Sequence, residues 1–83
     1  MTLFIPTAVV KQIETMPQVD ARRLLARLTS IADAPHQRHS NVLALAGNPG
    51  VYRLRQGDWR AVFRIEEQDI VVIRVAHRRE VYK

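Results

Sequence analysis

The sequence predicts an α+β fold in which two helices precede a small antiparallel sheet. Three observations carry that expectation. Apolar residues recur at helical spacing in the first third of the chain, and prolines punctuate both periodic stretches. From Val51 onward the pattern changes to alternation broken by short polar turns. With 83 residues there is room for one modest core, so residues 1–83 read as a single domain.

The first helix is expected over Thr7–Met16, where Val9, Ile13 and Met16 form one stripe at i, i+4 and i+7. Pro6 stands near its start, where a missing N–H costs nothing, and Pro17 ends it. A second helix is expected from about Ala21 to Ala32. Asp20 would cap it, and Val19 and Leu24 have the spacing of a hydrophobic staple. Leu24, Leu28 and Ile31 form its buried stripe with Leu25 beside them, while Arg23 and Arg27 share the polar face. The short connection favours an antiparallel helical pair.

Asp33–Ser40 is polar, contains Pro35 and reads as a loop. Asn41–Ala46 reads as a short strand before the turn Gly47-Asn48-Pro49-Gly50. Three longer strands follow at Val51–Arg55, Trp59–Glu66 and Ile70–Ala76. Gln56-Gly57-Asp58 and Glu67-Gln68-Asp69 separate them at hairpin length.

Composition excludes several classes of function. The absence of cysteine removes disulfide frameworks and Cys-based zinc sites. No apolar run approaches the roughly 20 residues that span a bilayer, and Met1–Pro6 lacks the pattern of a signal peptide. A cytoplasmic protein without membrane contact is expected. The formal charge is +5, and eleven of the thirteen cations are arginine. Arginine presents a planar fork that matches phosphate and carboxylate oxygens, which points to a nucleic acid or an acidic protein, against the alternative of a plain solvated surface where mutational bias puts arginine for lysine.

Strand parity sorts these arginines. Tyr52, Leu54, Trp59, Ala61, Phe63, Ile65, Val71, Ile73 and Val75 fall on the face expected to meet the helices. Arg53, Arg55, Arg60, Arg64 and Arg74 fall on the other, together with Val62, Ile70, Val72 and Ala76. Five like charges on one sheet face call for water or a polyanion. Beyond the last strand comes His77-Arg78-Arg79-Glu80-Val81-Tyr82-Lys83. Metal-free RNA cleavage needs activation of the 2′-hydroxyl, cations for the charged phosphorane and an acid for the leaving 5′-oxygen. His77 can serve as the base or the acid. Arginine can only hold phosphate charge. Trp59 is assigned to the core. His36 and His39, without nearby carboxylates, read as surface loop residues, and no metal or other cofactor is expected.

Tyr52-Arg53-Leu54-Arg55, Gly57-Asp58-Trp59-Arg60-Ala61-Val62-Phe63 and His77-Arg78-Arg79-Glu80-Val81-Tyr82 resemble the RelE family within the RelE/ParE toxins of bacterial toxin–antitoxin modules. The resemblance implies two antiparallel helices packed on a small twisted antiparallel sheet. It further implies a toxin that enters the ribosomal A site and cleaves mRNA without a metal, through the RNA 2′-hydroxyl. A cognate antitoxin would wrap it, and the pair could assemble on operator DNA. Arg53 and Arg55 match a pair of family lysines on the active face, and Arg60 matches a phosphate-binding arginine. Arg78 matches an arginine beyond the last strand, with Arg79 as its rival, and Tyr82 matches the C-terminal tyrosine. Arg64 and Arg74 would extend the phosphate-binding surface. Arginine in place of the lysines keeps phosphate binding and removes a candidate amine base. The same fold serves ParE toxins, which poison DNA gyrase without cutting RNA, and an inactive module that only meets an antitoxin is the third possibility.

Overall fold

The computed structural model describes residues 1–81. Strand β1 (Thr2–Phe4) leads into helices α1 (Thr7–Glu14) and α2 (Gln18–Asp33). Strands β2 (Val42–Ala44), β3 (Val51–Gln56), β4 (Trp59–Ile65) and β5 (Asp69–His77) follow. They form one sheet in the order β1-β5-β4-β3-β2. β2 to β5 make the expected antiparallel meander, and β1 adds a parallel edge through Thr2↔Asp69 and Phe4↔Val71. The sheet is therefore mixed, because the chain returns its first residues to the side of its last strand. Among the described residues no helix is long and apolar enough to cross a membrane.

Helix α1 begins where expected. Pro6 is its N-cap with φ −59°, and its carbonyl accepts the amides of Val9 and Val10 at 2.9 and 3.0 Å. Helix α2 begins earlier than the sequence reading placed it. Pro17, not Asp20, is the N-cap, and its carbonyl accepts the Ala21 amide at 3.0 Å. The fixed φ of proline already suits a helix start, so the helix takes up Gln18 and Val19. Asp20 then lies inside the first turn, where its carboxylate still meets the helix dipole. Val19 is 57% exposed, so the expected staple to buried Leu24 does not form.

One apolar cluster joins the helices to the sheet: Val9 and Ile13 from α1, Leu24, Leu28 and Ile31 from α2, and Leu54, Ala61 and Phe63 from the central strands. Strand β5 contributes Ile70, Val72 and Val75. Here strict alternation fails. Phe63 pairs with Val72 but the preceding Val62 pairs with Arg74, so Ile73 is the extra residue of a β-bulge. Ile70 and Val72, assigned by parity to the arginine face, are fully buried against the helices, and Ile73 is 41% exposed. The bulge resets the phase so that Val75 also points inward while Arg74 keeps its outward position.

Beyond Val71 the edge of β5 has no strand partner from β1. Helix α1 covers it instead, and Gln12 Oε1 accepts the Val75 amide at 2.8 Å. Gln12→Leu keeps the bulk but strands that half-buried amide. It is expected to lower the unfolding free energy by about 1–3 kcal/mol, read from urea melts, with faster hydrogen exchange at Val75. An unchanged melt would mean the side chain does not protect this edge.

Candidate nucleic-acid interface

The strand register arranges the face away from the helices in rows. Arg55 stands directly opposite Arg60, which in turn faces Ala76. The next row runs Leu43, Arg53, Val62, Arg74, and the one after it Val51, Arg64, Val71, Phe4. Arg53, Arg55, Arg60, Arg64 and Arg74 thus share one face. Directly opposed neighbours in such rows have Cβ atoms about 4.5–5.5 Å apart.

Several of these guanidinium groups are held by neutral acceptors. Arg55 Nη2 donates to Asn41 Oδ1 at 2.9 Å, and Arg60 Nη1 donates to the carbonyls of Gly57 and Trp59 at 2.8 and 3.0 Å. Arg74 Nη2 donates to the Glu80 carbonyl at 2.7 Å. A carbonyl or amide oxygen orients a guanidinium without cancelling its charge, and an oriented cation costs less to order around an incoming anion. Arg64 lies 3.7 Å from the Glu66 carboxylate.

The tight turn of Gly57 and Asp58 between β3 and β4, with Gly57 at φ 59°, brings further residues to the Arg55–Arg60 end. The Asp58 carbonyl accepts the Arg78 amide at 2.7 Å, and its carboxylate lies 3.7 Å from Arg78 Nε. Arg78 is thereby tied next to that row. Arg79 is exposed on the following turn. Tyr82 lies outside the described residues.

His77 does not join the arginines. It pairs with Trp59 and sets its ring edge-on to the indole at 5.6 Å and 84°. Both fall in phase with Val75 and Ala61, on the side of the helices, beside Lys11, Gln12 and Thr15. Its Nδ1 accepts the Arg79 amide at 3.3 Å. The reason is parity: two positions after inward-facing Val75, a residue still in the strand must face inward as well.

A different histidine reaches the basic surface. At the β2 edge a cavity of about 570 Å³ is lined by Arg38, His39, Ser40, Asn41, Arg53 and Arg55, among others. The sequence predicts His39 as a surface loop residue; the structure half-buries it beside the basic face. The loop is fastened to the body at several points. Arg27 donates to the Ser40 carbonyl, the Arg55 amide donates to the Asn41 carbonyl at 2.9 Å, and Asn41 takes a left-handed φ of 63° to enter β2. No local spacing signals this contact; it depends on Arg27 and Arg55, which lie far from His39 in sequence. Among the described residues no group of three His, Cys, Asp or Glu could hold a metal ion.

The model of the family described as ParE toxin of the type II toxin–antitoxin system, parDE, matches residues 8–82. The chain belongs to this toxin family, within the RelE/ParE superfamily. Solved RelE structures share the toxin's fold. A chain of the archaeal RelE-RelB complex from Pyrococcus horikoshii is 25% identical at a TM-score of 0.80, over 96% of this chain and 97% of that one. The RelB-RelE antitoxin-toxin complex from Methanococcus jannaschii gives 19% identity and a TM-score of 0.81, over 95% and 94%. The isolated E. coli RelE toxin gives 22% and 0.78, over 98% and 89%. A search of curated protein sequences finds no match. The resemblance read from the arginine-rich strands therefore holds for family and fold.

Proposed function

We propose that this toxin is a ribosome-dependent mRNA endoribonuclease that stops translation by metal-independent cleavage through the RNA 2′-hydroxyl. The observation that supports it most is the arginine face, with Arg55 and Arg60 opposed across two strands, Arg55 oriented by Asn41 and Arg60 by the Gly57 carbonyl among its partners. Like charges set face to face repel, and a phosphodiester between them removes that cost. Arg53, Arg55 and Arg60 bind the phosphates around the scissile bond, and Arg78, tied to the turn beside them, stabilises the charge of the phosphorane. Arg64, Arg74 and Arg79 extend the track for neighbouring phosphates, and Tyr82 orients the RNA or moves a proton. The partners are the ribosomal A site with its mRNA and a cognate antitoxin, as relatives solved with RelB support. The site of action is the cytoplasm, and a complex with the antitoxin on operator DNA belongs to the same reading.

Purified toxin added to translating ribosomes is expected to cut the mRNA and to leave naked RNA largely intact. Arg60→Ala combined with Tyr82→Phe is expected to relieve growth arrest on induction. A double variant as toxic as wild type would remove the assignment.

The matching family description names ParE, which favours a second reading as a gyrase poison that binds without cutting. Parallel measurement of protein synthesis and DNA supercoiling after induction separates the two. Lost supercoiling with normal translation selects the second.

A further inference from the structure

We propose that His39 is the general base of this site, taking the proton of the RNA 2′-hydroxyl at Nδ1; the proposal rests on the RNA-cleavage reading above. Arginine cannot accept a proton near neutral pH. The arginine face therefore needs a second kind of residue for the first step, and His77 faces the helices instead. His39 shares one cavity with Arg38, Arg53 and Arg55.

Its tautomer follows from its partner. His39 Nε2 lies 2.7 Å from the Ala34 carbonyl oxygen, which can only accept, so Nε2 carries the hydrogen. In the neutral ring the lone pair then sits at Nδ1. An imidazole held through one nitrogen with the other left basic is the arrangement proton transfer requires. The loop that carries it is held by Arg27 at Ser40 and by Arg55 at Asn41. The residue that aims Arg55 at the phosphate thus also fixes the segment bearing the base.

In the step, the 2′-O–H proton passes to Nδ1 as the 2′-oxygen bonds to phosphorus. The bond from phosphorus to the 5′-oxygen breaks, leaving a 2′,3′-cyclic phosphate. The departing 5′-oxygen takes a proton from water, and the imidazolium returns its own to solvent. Arg53 and Arg55 hold the non-bridging oxygens throughout.

The test uses the toxin on translating ribosomes under single-turnover conditions. His39→Gln retains an N–H for the Ala34 carbonyl and lacks a basic nitrogen. It is expected to cut about 10²–10⁴-fold more slowly with an unchanged thermal midpoint. His36→Gln, on the same loop outside the cavity, is expected to cut at the wild-type rate. Added imidazole is expected to restore part of the activity of His39→Ala. An mRNA with sulfur at the bridging 5′ position needs no acid for its leaving group, so the His39→Gln defect should persist on it. If that defect vanishes, His39 is the acid and the assignment is overturned. A His39→Gln toxin as fast as wild type overturns the proposal alone. A wild type that leaves mRNA whole overturns the RNA reading and this proposal with it.

Discussion

On the RNA-cleavage reading, Arg55→Glu is expected to lose cleavage by about 10²–10³-fold while unfolding within about 1 kcal/mol of wild type. The two effects separate because of where Arg55 stands. Directly across the strand pair is Arg60, so a glutamate replaces a repelling pair with an attracting one. That gain offsets the lost hydrogen bond to Asn41 on an exposed edge. Phosphate binding has no such compensation, since a carboxylate now faces the anion and neutralises Arg60 as well. Single-turnover cleavage on ribosomes, set beside a urea melt of the same sample, reads both quantities. A folded variant that still cuts at the wild-type rate would show that the opposed arginines serve no phosphate. A variant that simply unfolds would show that they serve the fold.

The largest structural effect is expected at Phe63. This side chain is buried, pairs with Val72 at the bulge, and stacks on Tyr52 across the strand pair at 5.6 Å and 20°. Phe63→Ala removes a ring from the centre of the only apolar cluster that joins helices to sheet among the described residues. The cost should be about 3–5 kcal/mol. Domains of this size have roughly 4–12 kcal/mol in total. The variant should therefore melt far below wild type and lose the near-ultraviolet signal of Trp59 and Tyr52. A loss under about 1 kcal/mol would require the cavity to collapse almost completely.

Most of the fold was legible because its apolar positions follow one period at a time. Leu24, Leu28 and Ile31 can bury one stripe only as a helix, and Leu54, Ala61 and Phe63 alternate with residues of the arginine face. The arginine rows were legible for the same reason, since Arg53, Arg55, Arg60 and Arg64 each stand between inward-facing neighbours. The bulge was not. In Ile70-Val71-Val72-Ile73 every side chain is apolar, so hydrophobicity carries no phase information, and only pairing with β4 reveals that Ile73 is the extra residue. The parallel strand β1 escaped for a related reason: three residues are too few to display a period. For α2, an acid near a helix start fits a cap and a first-turn position equally well, and Pro17 decides between them.

The candidate site divides along the same line. Charges carried on strands could be placed by counting, whereas the histidines could not. His77 looked available because the chain leaves the sheet there, yet the strand runs one residue further than expected and turns the ring inward. His39 looked idle because the loop that carries it is fastened at Ser40 and Asn41 by Arg27 and Arg55, remote in sequence. Loop residues acquire their neighbours from the scaffold that fastens them.

The pairing of Thr2 with Asp69 has a consequence for biosynthesis. During vectorial translation the first strand emerges almost seventy residues ahead of its mate, and it must wait undocked until Asp69–Val71 is free of the tunnel. The strand it waits for also brings Arg74 to the arginine surface and buries the outer flank of the core. The arginine surface therefore comes together only once β5 has joined β4, long after β1 has been made.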